Sequence, residues 1–167
     1  MALAFNVSGP TAVEITVPGG STYSILGYTD NDSMIEVTTA IGSRRVTSTK
    51  TGDAPGAIVY RGMWAVIAME LVEWDTDVRN ARLRVPGQNS AGGSGTVGLV
   101  WDSDSYIGLR LTPQIAGKTQ FTFGRCFYDG EDAIREFDFG NTERRLAVVM
   151  TALVDGSGNL YTESTTS

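Results

Sequence analysis

Two glutamates and three tryptophans supply the side chains from which this chain could build a catalytic site. Glu70 and Glu73 lie in one apolar stretch. The tryptophans, which could stack against sugar rings, are Trp64, Trp74 and Trp101. Two carboxylic acids, one with a raised pKa, are the machinery of a glycosidase. Acids near tryptophans are also common in β-sandwiches, and Glu70 is expected to pair with Arg110 or Arg145, because an unpaired buried carboxylate is costly.

Most other hydrolase mechanisms are excluded because the sequence contains no histidine. No serine, threonine or cysteine therefore has an imidazole to activate it, and only carboxylate, lysine or tyrosine chemistry is left. The single cysteine, Cys126, cannot form an internal disulfide, and its position between Phe123 and Phe127 favours a buried core residue. We predict a protein with no catalytic activity and no cofactor.

Clusters of acidic residues raise the question of a metal site. Residues 30–33, with the sequence DNDS, carry several oxygen ligands, and Asp102 and Asp104 form a second candidate. A calcium loop of the EF-hand type also needs a glycine and a terminal glutamate at fixed offsets, and both are missing. We predict no metal site.

The overall charge is negative, with a formal value of −6 and an isoelectric point near 4.6. Affinity for DNA comes mainly from neutralising phosphates, so nucleic acid is not expected as an attractive ligand. The N-terminal sequence, MALAFNVSGPTAV, has neither a basic region nor a long apolar core. We expect neither a signal peptide nor a membrane anchor.

An apolar run from Met63 to Val72 is the central element that would position these residues. Glu70 is its only charge, so no period of two or of 3.6 is visible. This pattern predicts a strand that is covered on both faces. After the run, Asp75 can cap a helix around 75–85 with Val78, Ala81, Leu83 and Val85 as an apolar stripe and with arginines 79, 82 and 84 facing outward, until Pro86 ends it.

The rest of the chain reads as short strands separated by turns. The other predicted strands are 12–17, 24–27, 34–39, 99–102, 106–112, 119–128, 133–139 and 143–155, with a short final strand or tail at 159–162. The sequence therefore predicts a single mainly β domain over 1–167, a two-layer antiparallel β-sandwich with one flanking helix. It would carry a polar arm at 42–56, a Gly/Ser-rich loop at 87–98 and a C-terminal tail at 156–167.

The polar arm at 42–56 is a long excursion between two predicted strands, and it is cationic in an acidic protein. Its polar and charged candidates for contact are Arg44, Arg45, Thr47, Thr49, Lys50 and Asp53. Loops of this length usually serve an interface or are mobile. The sequence leaves two interpretations open, a solvated hairpin and an arm that reaches an acidic neighbour.

The order of these pieces resembles that of bacteriophage tail tube proteins and their relatives in the phage neck and tail. The stretches that carry the resemblance are LGYTDNDSMIEVT at 26–38, the arm at 42–56, WAVIAMELVEWDTDVRNARLRVPG at 64–87 and FGNTERRLAVVMTALVDGSGNLYT at 139–162. The resemblance covers most of the chain through pattern and order. The Gly/Ser-rich segment at 87–98 departs from the family's pattern.

The resemblance implies a virion structural protein, made in the host cytoplasm, that assembles into homohexameric rings. Stacked rings would form a tube for the genome, the arm would contact the neighbouring ring, and other tail or neck proteins would be partners. Six chains of charge −6 would give a ring −36, so DNA would pass without specific binding. Candidate lumen-facing acids are Asp102, Asp104, Glu136 and Asp138. No membrane partner is expected.

A capsid decoration or cement protein is the alternative, because it is another acidic, β-rich virion component. In that case the arm or the termini would lie across a shell lattice instead of a ring. Assembly of the purified protein separates the two hypotheses, since tubes favour the tail and discrete small particles that add only to shells favour cement.

Overall fold

The computed structural model describes residues 4–46, 57–83, 105–128, 134–138 and 144–166, and only the backbone of 134–138 and 144. Within these ranges the chain forms antiparallel strands and one short helix, α1 (Thr76–Arg82). The strands are β1 (Ala4–Ser8), β2 (Thr11–Thr16), β3 (Tyr23–Tyr28), β4 (Met34–Val46), β5 (Ala57–Leu71), β6 (Glu73–Trp74), β7 (Ile107–Pro113), β8 (Thr119–Phe127), β9 (Ile134–Asp138), β10 (Arg144–Leu153) and β11 (Thr162–Thr165). The predicted mainly β class is confirmed.

All strands join one sheet that folds over into two layers. Its hydrogen-bonded order is β1-β4-β5-β10-β8-β7-β2-β3-β6, with β11 beside β8 and β9 beside β10. Although β4, β5 and β10 separate β1 from β8 in this order, the rings of Phe5 and Phe121 lie 4.8 Å apart between centroids. The sheet therefore curls into a sandwich-like fold, with β1, β4, β5 and β10 as the front layer and β8, β7, β2, β3 and β6 as the back layer.

The chain also crosses between the layers where β5 becomes β6. Only Val72 separates them, and its backbone N–H donates to the carbonyl oxygen of Tyr28 in β3 at 3.0 Å. Gly27 of β3 lies opposite Trp74, and a Cβ at Gly27 would overlap the carbonyl oxygen of Glu73. A glycine is required here because the two backbones approach so closely.

The inward side chains of the two layers form one core. Ile35 and Ile67 come from the front layer and Leu109 and Phe123 from the back layer, and all four are fully buried. Cys126 belongs to the same core, and burial raises the pKa of its thiol. The interpretation of this cysteine as a core residue is confirmed.

The prediction that the central strand is covered on both faces is wrong for the part of the fold that the structure describes. Along β5, Ala65, Ile67, Met69 and Leu71 point into the core, whereas the residues between them are exposed or half-buried. A strand in an antiparallel sheet can be buried on one face only. The apolar residues of the other face hide this alternation in the sequence.

The helix begins as predicted but is shorter than the span 75–85. Asp75 is its N-cap, and the side chain accepts a hydrogen bond from the N–H of Val78 at 2.9 Å. Val78 packs against the core and Leu83 is buried within it, but Ala81 is exposed. Arg82, expected to face outward, instead reaches back to the sheet. Positions 84–86 lie outside the described residues.

Other element boundaries differ from the prediction. β1 was not predicted, β4 continues to Val46 instead of ending at residue 39, and the last strand is 162–165 instead of 159–162. The strand predicted at 99–102 and the Gly/Ser-rich loop at 87–98 lie outside the described residues. In the part of the chain that is described, no helix has the length and apolar character needed to cross a membrane.

Candidate assembly surface

The outward side of the front layer, here called the outer face, carries apolar side chains in neighbouring strands. Trp64 and Val66 of β5 are 39% and 38% exposed, and Val149 of β10 is 38% exposed. In the register of the sheet, Val66 lies opposite Thr151 and Ala68 lies opposite Val149. These outward residues thus form one adjoining group, and contiguous exposed apolar patches mark interaction surfaces.

An ion pair lies beside this patch. The guanidinium of Arg145 donates to the carboxylate of Glu70 at 2.8 Å, so the expected pairing of Glu70 with an arginine is confirmed. The Glu70 side chain is 44% exposed, however, and was expected to be buried. Arg110, the other proposed partner, lies in the back layer, 3.6 Å from Glu14.

Beyond the body of the sandwich, β4 and β5 continue as a two-stranded extension of residues 42–46 and 57–62, here called the ribbon. The register shifts between Gly42 and Ser43, and Gly62 at this irregularity has a φ of +125°, which favours glycine. Ile58 and Tyr60 are 67% and 60% exposed. A ribbon of two strands with exposed apolar side chains is marginal in water on its own.

The two faces of the ribbon follow from its pairing. Ser43 lies opposite Tyr60 and Arg45 lies opposite Ile58, so these four residues share one face. The other face is formed by Arg44, Val46, Ala57 and Val59. Apolar and cationic groups are mixed on both faces, and the first face carries the two larger exposed apolar side chains.

The ribbon is the base of the predicted arm. Arg44 and Arg45 are exposed on its strands, so the arm begins as a two-stranded extension of the sheet, beyond the predicted end of β4 at residue 39. The remaining candidates of the arm, Thr47, Thr49, Lys50 and Asp53, lie outside the described residues.

The structure separates the residues that could have formed a glycosidase site. Glu70 is in the front layer and Glu73 is in the back layer, where it pairs with Tyr28 of β3. Trp64 belongs to the outer face, Trp74 follows Glu73 in β6, and Trp101 lies outside the described residues. The two glutamates therefore belong to different layers and do not face one common site.

The structure describes only some of the residues that were predicted as candidate metal ligands or lumen-facing acids. Among the residues that the structure describes, no three histidine, cysteine or acidic side chains are grouped so that they could hold a metal ion. Asp102 and Asp104 lie outside the described ranges. Glu136 and Asp138 are in β9, opposite Leu146 and Arg144 of β10, and only their backbone is described.

Sequence reasoning missed the outer face, although a signal for it was present. The run of β5 is apolar at successive positions, and this pattern was assigned to burial within one chain. The same pattern arises when a strand of a one-sided sheet presents its second face to another molecule.

Comparisons of the chain with protein-family models, with curated proteins and with solved structures find no match.

Proposed function

We propose that this chain is a virion structural protein, the subunit of a phage tail tube, which assembles into stacked rings around the path of the DNA. The observation that carries the proposal is the pair of exposed apolar surfaces, the outer face around Val66 and the ribbon around Ile58. Because the described residues already share one buried core that does not include them, we take these side chains as available to a partner. Identical subunits that cover such surfaces mutually form closed rings or open stacks.

The strand order supports ring formation. In the described part of the chain, β1 and β6 stand at the two ends of the sheet path, and β1 pairs with β4 alone. Its unpaired edge can accept a strand from a second molecule, and closure of a ring removes such open edges. A six-membered ring made by joining the sheets of neighbouring subunits would use this edge.

The negative net charge of the chain supports the proposal that DNA passes through the tube without binding to it. At −6 per subunit, the inner wall of a ring need not attract the phosphates of passing DNA. The proposal assigns Asp102 and Asp104 to the lumen, because Glu136 and Asp138 share the sheet face of the buried Leu146 in the register. Replacing Asp102 and Asp104 by lysine should preserve the tube but make it retain added duplex DNA, with a strong dependence on salt.

Negative-stain electron microscopy of the purified protein across concentration and salt tests the proposal. We expect hollow tubes or stacked rings whose symmetry can be counted in end views. Monomers or discrete small particles at every concentration, together with binding to empty capsids, would contradict it and favour a capsid decoration protein. Val149→Asp is the matched variant, because it should abolish the tubes while leaving the fold intact.

A further inference from the structure

The two ends of β5 carry opposite charge and similar apolar character. At its beginning, the ribbon holds Arg44, Arg45 and Arg61, all of them exposed. At its end, the chain passes into Glu73, and Asp75 and Asp77 follow, again exposed. These exposed charges therefore differ in sign between the two ends of β5. Arg145, paired with Glu70, and Arg82, bonded to Ser24, are half-buried cations that also lie near the acidic end.

The acidic end contains a groove that matches the ribbon. This groove, of about 390 Å³, lies at the surface where β3 pairs with β6 and is lined by Ile25, Leu26, Gly27, Tyr28, Glu73, Trp74 and Asp75. Ile25 is 43% exposed, so the floor of the groove includes an uncovered apolar side chain. The first ribbon face, with Ile58, Tyr60 and Arg45, offers the complementary combination of apolar side chains and positive charge.

We infer that the ribbon of one subunit docks in the β3–β6 groove of a second copy of this chain. The inference rests on the proposed self-assembly and names the receiving surface. Ile58 and Tyr60 would cover Ile25 and Trp74, and Arg45 would lie near Glu73. A chain cannot make this contact with itself, because a strand rises about 3.3 Å per residue and β5 thus separates its ribbon from its groove by roughly 40 Å.

The contact is head to tail, since different surfaces of the two copies meet. Such an interface leaves a free ribbon at one end of the pair and a free groove at the other, so it continues by adding further subunits. It therefore accounts for stacking along an axis, whereas the outer face and the β1 edge account for association within a ring.

Cysteine cross-linking between two variants tests the contact. Ile58→Cys and Ile25→Cys proteins are mixed, oxidised mildly and analysed on a non-reducing gel, with Cys126 left in place because it is buried. We expect a mixed disulfide dimer that neither variant forms alone. Ile58→Cys mixed with Val17→Cys is the matched control, because Val17 is also exposed but does not line the groove.

Charge reversal gives a second, independent measurement. Arg45→Glu and Glu73→Arg, both at exposed positions, should each lower the yield of the 58–25 cross-link about tenfold with unchanged melting temperature, and combining them in one chain should restore it. A 58–25 yield no greater than the 58–17 control would overturn the inference.

The outcomes separate this inference from the proposed function. Hollow tubes that form without the 58–25 cross-link would refute the contact and leave the tube intact. Cross-linked open chains without rings would support the contact and refute the tube. Failure of both experiments would refute both.

Discussion

The outward-facing side chains of the two layers differ in burial, as a comparison of β2 in the back layer with β5 in the front layer shows. Both faces of β2 are largely buried, with Thr11, Ala12 and Thr16 almost inaccessible, although polar and apolar residues alternate from Val13 to Thr16. β5 was expected to be covered on both faces, yet Trp64 and Val66 are exposed. In the described part of the chain, the outward side of β2 is thus covered, whereas that of β5 is left partly exposed.

The covering of the back layer is polar and specific. Gly108 donates its N–H to Oγ1 of Thr16 at 2.8 Å, and Thr112 donates its hydroxyl to Glu14 at 2.9 Å. Arg110 stacks over the ring of Tyr23, with its guanidinium carbon 3.9 Å from the ring centroid. The buried hydroxyl of Thr16 and the half-buried hydroxyl of Thr112 thus have partners, whereas the buried Nε of Arg110 has no hydrogen-bond partner among the described residues. The outer face of β5 carries apolar side chains that the described residues leave exposed.

The largest expected effect comes from two adjacent valines of β10. Val148→Ala removes fully buried methyl groups and should lower the free energy of unfolding by about 2–3 kcal/mol, since a cavity remains. Val149→Ala, 38% exposed, should change it by less than about 0.5 kcal/mol but weaken assembly. Urea unfolding of dilute protein measures both values. Equal losses at the two positions would show that the outer face is covered within the chain.

Substitutions of Arg82 test whether the stability of the back layer depends on contacts with helix α1. Its guanidinium donates to the carbonyl oxygens of Ile15 and Thr22 at 2.6 and 2.8 Å and to the hydroxyl of Ser24 at 2.6 Å. Arg82→Ala should therefore cost about 2 kcal/mol in thermal or urea unfolding. Arg82→Lys should recover part of this loss, because one ammonium cannot reproduce the forked contacts. No change in either variant would refute the anchoring role.

Two threonines on the outward faces of the two layers should differ in the stability that is lost when each is replaced by valine. Thr16→Val leaves the buried N–H of Gly108 without its acceptor, so we expect a loss of about 1–2 kcal/mol. Thr38→Val on the front layer removes only an exposed, 3.3 Å contact with Glu36 and should be neutral within about 0.5 kcal/mol. Comparable losses in urea unfolding would remove the distinction between the two faces.

The smallest expected effect is at Asp155, in the turn after β10. Its side chain accepts from the N–H groups of Asn159 and Ser157, both at 2.8 Å, and these bonds hold its pKa below the usual range. Because the folded pKa is lowered, the stabilisation is present above the unfolded pKa and is lost as the pH falls through the folded one. Asp155→Asn should thus melt slightly earlier at neutral pH, and the difference should vanish in acid. A difference that is constant with pH would contradict this.

Local chemistry made part of the fold predictable. Asp75 is the N-cap of α1, as the sequence predicted, and the mainly β class followed from the many short strands separated by turns. The pairing of Glu70 with an arginine could be predicted because a carboxylate in an apolar strand needs a counter-charge, and the arginine is Arg145. These features depend on neighbours in the chain or on the chemistry of one pair.

Features that depend on distant contacts were not predictable. β1 has no strong apolar pattern, and it is a strand because it pairs with β4 from Ala4 to Ser8. Arg82 looked like a solvated helix residue, and its partners lie in β2 and near β3. The outer face was missed because a strand with apolar residues on both sides has the same sequence pattern whether both sides are buried or one of them is exposed.

Sedimentation velocity of the purified wild-type chain over a wide range of concentration tests the central claim that the outer face and the ribbon are covered by other copies of the chain. We predict species far larger than the 17.9 kDa subunit, which grow with concentration and are lost in Val149→Asp. A single 17.9 kDa species at every concentration, with the same coefficient in the variant, would contradict the account.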